Sequence, residues 1–319
     1  MRPVNRIAVI DIGSNAIRCT VVEVRSPDML VVLADERIQT QLGRGLVATG
    51  ALAADRMDDS LAAILRFRDL ARSFGAGHVR AIATAAVRGA RNGNSFVERV
   101  LCETGLFVEI IDGAREAELA LASAVATFDL PDPVCIADIG GGSLEVVVRR
   151  DSVPEISASF PLGAMVASNR LPQSDDPPPA DILERVRSSV RGELAASLGD
   201  RPAPVPRAVC SGGTITSLIG AAAARRGEDP LDIHGTSASI EEITEVVSQV
   251  AACTLPERGR IPGIPAYRAQ SVLGGSLVML ELFELLGTRT ITANRKGIRE
   301  ALLLEMVARG VGTDEPPAL

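Results

Sequence analysis

Two short stretches constrain most of what this chain can fold into: "VIDIGSNAIR", Val9 to Arg18, and "ADIGGGSLE", Ala137 to Glu145. Each is a short apolar run ending in Asp-Ile-Gly, followed by small residues that include a hydroxyl. Apolar runs of this length read as buried strands, and the glycine turn folds the chain back on the strand before it. Glycine-rich turns also leave backbone N–H groups uncovered, so that a phosphate can approach closely. The two copies differ at one position of consequence: the second ends in a carboxylate, Glu145, where the first carries Arg18.

The surrounding sequence repeats one plan. Strands are expected over 7–12, 17–24 and 29–34, then a helix over 55–74, a strand over 79–83, a helix reaching residue 104, the strand "LFVEII" and a helix over 115–126. The pattern restarts with a strand over 134–139, "LEVVVRR" and "VPEISASFPLG". A proline-rich loop over 172–181 leads to a helix over 182–198, and "DRPAPVPR" is a second connector. "CSGGTITSLIGAAAA" reads as a glycine turn and helix, followed by helices over 241–253 and 268–287, a strand over 289–293 and a last helix over 296–309. Hairpins come first in each half, which excludes a Rossmann start. The reading is an α/β chain of two duplicated domains, 1–126 and 127–319, flanking a central cleft, with the last helix a candidate to pack back on the first domain.

Composition excludes several function classes. A chain of 319 residues with 46% hydrophobic residues can bury about two domain cores. A net charge of −7 argues against a dedicated DNA or RNA binder, and with no Trp and one Tyr there are no stacking platforms for single strands. The five cysteines, Cys19, Cys102, Cys135, Cys210 and Cys253, are far apart and form no metal or disulfide pattern. His78 and His234 lack neighbours at zinc-ligand spacing. There is no signal-peptide core and no apolar run of about 18 residues, so the expectation is a cytoplasmic protein without a membrane span.

The chemistry-bearing residues cluster at three turns: Gly13-Ser14-Asn15, Gly140-Gly141-Gly142-Ser143 and Gly212-Gly213-Thr214. Asp11 and Asp138 end the strands before the first two. Carboxylate oxygens beside phosphate oxygens suit Mg²⁺, which takes few protein ligands and keeps several waters.

The segments "DIGSNAIR", "AIATAAVRGARN", "EIIDGAREAELAL", "ADIGGGSLEVV", "SGGTITSL", "DIHG", "YRAQSVLGGSLVML" and "NRKGIREALLLEM" span nearly the whole chain. In these the sequence resembles the exopolyphosphatase / guanosine pentaphosphate phosphohydrolase (Ppx/GppA) family, in its short two-domain form. That family lies within the actin-like, sugar kinase and Hsp70 ATPase superfamily of ribonuclease H-like domains. The resemblance implies a hydrolase releasing terminal phosphate from inorganic polyphosphate, guanosine pentaphosphate (pppGpp) or both, and a possible homodimer. It assigns Glu116 as catalytic base and Glu145 as the second essential carboxylate, with Asp11, Asp138 and Glu145 near Mg²⁺. It places Arg18 and Arg268 on the phosphates of ppGpp or pppGpp, beside Gly13, Ser14, Asn15, Gly140, Gly141, Gly142, Ser143, Gly212, Gly213 and Thr214. The chain departs from the family pattern at Arg115, at Asn294-Arg295-Lys296 and at Ala301. The alternatives are a catalytically weak ppGpp- or polyphosphate-binding regulator and an actin-like sugar kinase.

Overall fold

In the computed structural model the described residues are 5–26, 29–172, 176–200 and 202–310. They divide between two compact units, Met1–Asp112 with Ile298–Leu319, and Gly113–Gly297. Residues 173–175 of the proline-rich loop and residue 201 of the second connector lie outside the described residues.

The first unit begins with the antiparallel strands β1 (Asn5–Ile12), β2 (Ile17–Ser26) and β3 (Met29–Ile38). After α1 (Leu46–Thr49) and α2 (Ala54–Ser73), β4 (His78–Ala83) runs parallel to β1. Helices α3 (Ala85–Arg88) and α4 (Gly93–Thr104) lead to β5 (Val108–Ile110), parallel to β4. The sheet order is β3-β2-β1-β4-β5. Strand alternation divides its faces. Ala8, Ile10, Ile12, Ile17, Cys19 and Val21 pack with Leu61, Ile64 and Phe67 of α2. Asp11, Arg18 and Thr20 therefore face the other way, where the helix Ile298–Ala308 packs against β1 and Arg299 donates to Thr20.

The second unit repeats the order. Helix α5 (Gly113–Val125) is followed by the antiparallel strands β6 (Val134–Ile139), β7 (Leu144–Arg150) and β8 (Val153–Phe160). Helices α6 (Ala164–Ser168) and α7 (Ala180–Leu198) precede β9 (Arg207–Gly212), which is parallel to β6 and runs directly into α8 (Gly213–Arg225). Then come β10 (Ser237–Ser239), α9 (Ile240–Ala252), α10 (Leu255–Arg258), a 3₁₀ turn at Ala266–Arg268, α11 (Ala269–Leu286) and β11 (Thr290–Ala293). The six-stranded order is β10-β11-β9-β6-β7-β8. A meander followed by parallel crossovers is thus built twice. The chain closes with α12, the helix Ile298–Ala308 already placed in the first unit.

The unit boundary falls at residue 112, not at 126. Ala117, Ala120 and Ala124 of α5 pack with Val134, Ile136, Val147 and Val209, so this helix covers the β6–β7 sheet rather than the strands preceding it. It stands to β6 as α12 stands to β1. Helix α11 is long and apolar enough to cross a membrane by length and composition, but most of it is buried inside its own unit. Leu273, Leu277, Val278 and Phe283 join the main core of that unit.

Candidate active site

The two Asp-Ile-Gly turns close their hairpins in the same way. Gly140 N–H donates to the Ser143 carbonyl at 3.0 Å, and Gly13 N–H donates to the Ala16 carbonyl at 3.2 Å. Asp138 lies opposite Glu145, and Asp11 opposite Arg18. Arg18 and Glu145 therefore occupy corresponding positions across from corresponding aspartates. The hydroxyls do not correspond: Ser143 matches Ala16, and Ser14 matches Gly141.

Around the second turn three acidic side chains gather. Alternation along β6 and β7 sends Cys135, Ala137, Ile139 and Leu144 to the main core and Asp138 and Glu145 to the face that α5 covers. Glu116 sits in the first turn of α5, where a carboxylate complements the helix dipole. Glu116 is 5% exposed and Glu145 3%. Ser143 Oγ donates to Glu116 Oε2 at 3.4 Å, and Ser159 Oγ, opposite Glu145 on β8, donates to Glu145 Oε1 at 2.9 Å. Burial pushes the Glu145 carboxyl well above its ordinary value, and the charges of Glu116 and Asp138 push the same way. The Ser143 and Ser159 hydroxyls oppose that shift. Such a site favours a proton or a cation.

Close backbone approaches hold this geometry. A Cβ on Gly113 would stand 2.4 Å from the Ser159 side chain, so glycine is what lets α5 start against β8. A Cβ on Gly163 would stand 2.4 Å from Gly142 N, while Ala164 and Met165 N–H groups donate to the Gly140 and Gly141 carbonyls at 2.9 Å. Gly212 has φ 96°, and a Cβ there would lie 2.2 Å from the Ile139 carbonyl and 3.0 Å from Asp138 Oδ1. The third glycine turn is thus packed directly onto Asp138.

Arg268 lies over Gly213 at the start of α8, its Nη1 only 1.3 Å from where a Cβ would stand. The Gly212–Gly213 turn and a guanidinium are brought together in this way. Thr214 is placed differently from the sequence expectation: its Oγ1 lies 2.4 Å from where a Cβ would stand on Gly275, beneath α11, and it is 3% exposed. Its role there is in the α8–α11 crossing. Gly213→Ala drives a methyl into the flexible end of Arg268 and improves helix propensity by about 1 kcal/mol. The expected result is an unchanged or raised melting midpoint, because the guanidinium that must move is the free end of a long side chain. Thermal unfolding of the variant beside the wild type checks it.

In the first unit, Ser14 is buried and its carbonyl accepts from Gly43 N–H at 2.8 Å, and Asn15 Oδ1 accepts from Gln39 at 3.3 Å. Asp11 Oδ1 is buried without a hydrogen-bond partner. Burial raises the Asp11 carboxyl, against the lowering effect of Arg299 and Arg18. Arg299, 5% exposed, donates to Thr20 and Asp35. Sequence reasoning did not single out Ser159, Gly113 or Arg299. Among the described residues no group of three or more His, Cys, Asp and Glu side chains is placed to hold a metal alone. Asp138 and Glu145 remain hard oxygen donors of the kind Mg²⁺ takes in ones and twos.

A duplicated α/β fold with glycine turns and carboxylates at the strand ends places the chain in the actin-like ATPase fold class. The family model described as "Ppx/GppA phosphatase family" matches residues 20–310, and the chain belongs to that family. It is 29% identical over 315 residues to exopolyphosphatase 2 of Mycobacterium tuberculosis, covering 94% of this chain and 98% of the relative. The Aquifex aeolicus member of the Ppx/GppA family is a structural neighbour with TM-score 0.80 and 28% identity, over 97% of this chain and 99% of that one. An exopolyphosphatase from Cytophaga hutchinsonii has TM-score 0.84 and 26% identity, over 96% and 98%.

Proposed function

We propose that this chain removes terminal orthophosphate from inorganic polyphosphate, with guanosine pentaphosphate as a further substrate of the same site. The observation that carries the reading is the buried pair Glu116 and Glu145, with the half-buried Asp138 beside them, against the Gly140–Ser143 turn, and Arg268 at the adjoining Gly212–Gly213 turn. The names of the M. tuberculosis and C. hutchinsonii relatives support polyphosphate as the substrate class.

Phosphoanhydride hydrolysis needs an oriented water, neutralised phosphate charge and little covalent chemistry from the protein. Glu116 accepts a proton from water as the water oxygen bonds to the terminal phosphorus. The bridging P–O bond breaks, and its electron pair leaves on the shortened chain. Ser143 holds the Glu116 carboxylate in place through its hydroxyl. Arg268 and the turn amides bind phosphate oxygens. Mg²⁺ fits the donor set: Asp138 and Glu145 would hold it, and it would supply Lewis-acid charge neutralisation to the phosphates.

The regulator reading rests on Arg115 and Arg295: Arg115 pairs with Glu118 at 3.1 Å within α5, so its charge is balanced locally, whereas Arg295 donates to the Leu231 carbonyl and keeps its charge. A cytoplasmic location fits the five unpaired cysteines, and homodimer assembly is the expectation carried over from the family. Phosphate release from polyphosphate and from guanosine pentaphosphate, each with Mg²⁺ and with a chelator, tests the proposal. Metal-dependent release from polyphosphate is the expected result. Release from neither substrate would overturn it.

A further inference from the structure

The loop after β11 places two consecutive cations beside the site. Asn294 anchors it: its N–H donates to the Cys210 carbonyl at 2.7 Å, its Nδ2 donates to Ser123 Oγ at 3.3 Å, and its Oδ1 accepts from Lys296 N–H at 3.0 Å. Asn294 is itself buried, so the loop is fixed to both β9 and α5. Arg295 is held from the other side. Its N–H donates to His234 Nδ1 at 3.2 Å and its Nη1 to the Leu231 carbonyl at 3.0 Å. Accepting at Nδ1 leaves His234 to carry its hydrogen on Nε2, and the ring rests against Phe128 with centroids 5.4 Å apart.

Arg295, Lys296 and His234 are all exposed. No carboxylate pairs with Arg295 or Lys296 among the described residues. The next residue, Gly297, returns to the site: a Cβ there would stand 3.9 Å from Asp138 Oδ2. The loop therefore begins beside β9, two residues upstream of the Gly212 turn, and ends against the carboxylate cluster. Two cations on an anchored loop, without counter-charges among the described residues and in a chain of net charge −7, form a local attraction for a polyanion.

We propose that Arg295 and Lys296 form a subsite for the distal phosphates of a long inorganic polyphosphate whose terminal phosphate lies at the Glu116 site. The inference rests on the reading of that site as a polyphosphate hydrolase and adds chain-length selectivity to it. A subsite of this kind binds long chains and adds little for a tripolyphosphate, which the glycine turns and Arg268 already accommodate. Its contribution weakens with salt, because exposed cations gain affinity for a polyanion by releasing counterions.

The test is equilibrium binding of long-chain polyphosphate and of tripolyphosphate to the wild type and to Arg295→Gln/Lys296→Gln, with phosphate release followed in parallel. The double variant is expected to lower the ratio of long-chain to tripolyphosphate affinity about tenfold, the scale of two exposed charge contacts. It is also expected to flatten the salt dependence of long-chain binding. Lys296→Glu, which touches no structural hydrogen bond of the side chain, is expected to lower the ratio further. An unaltered ratio in the variants, or a wild type that binds both substrates equally, overturns the subsite. A wild type that releases no phosphate from either substrate, but whose preference for binding the long chain is lowered in the double variant, overturns the hydrolase reading and leaves the subsite standing.

Discussion

Glu116→Gln is expected to lower the rate of phosphate release by about 10²–10⁴-fold, the usual contribution of a positioned general base. The amide keeps the size of the carboxylate and can still accept from Ser143, so the first turn of α5 stays in place. What it loses is the ability to take the proton of the attacking water. KM is expected to move far less than kcat, because the interaction is one made as the proton leaves. Steady-state kinetics on polyphosphate, with a thermal melt of the same sample, decides it. A variant that keeps wild-type kcat assigns the proton to another group.

Glu145→Gln separates stability from activity. In the folded chain, burial and the charges of Glu116 and Asp138 raise the Glu145 carboxyl well above 4.5. The native state therefore holds a proton that the unfolded chain has already released. Between the ordinary value and the raised one the native state binds more protons, so stability falls as pH rises through that window. Below 4.5 both states are protonated and the penalty vanishes. Glutamine removes the charge and can still accept from Ser159. The metal-free variant is expected to melt higher than the wild type at mildly alkaline pH, with the difference shrinking toward pH 4.5. Its phosphate release is expected to fall about 100-fold or more, as for loss of a metal-supporting group. Melting curves across pH, without metal, measure the first effect. A variant less stable than wild type throughout would contradict the account.

Both results follow from features of unequal legibility. The paired strands and turns at Asp11 and Asp138 were readable because apolar runs punctuated by Asp-Ile-Gly allow little else. The correspondence of Arg18 and Glu145 was readable as an equal spacing from those turns, and the hairpin registers agree with it. Ser159 was not readable. Counting back from the Asp151–Ser152 turn, where Arg150 faces Val153, pairs Glu145 with Ala158. A bulge between Val148 and Arg149 shifts the register by one residue and brings Ser159 opposite instead. A bulge of this kind leaves no composition signal.

The unit to which α5 belongs was equally hidden. Its alanine face states that it packs closely, not on which sheet. Thr214 shows the limit from the other side. A hydroxyl after two glycines reads as a phosphate ligand, but Gly275, about sixty residues later, brings α11 over it. Arg299 sits in a run of helix-forming residues and gains meaning only where α12 crosses β2 at Thr20. In each case a tertiary contact decides what a locally ambiguous residue does.

The central claim is that water attacks the terminal phosphorus of a polyphosphate chain under the control of Glu116. Hydrolysis in oxygen-18 water, followed by mass analysis of the products, tests it most directly. The account predicts a single solvent oxygen in each released orthophosphate and none in the residual chain, with the release lost in Glu116→Gln. Label in the residual chain, or label released at the wild-type rate by that variant, would contradict it.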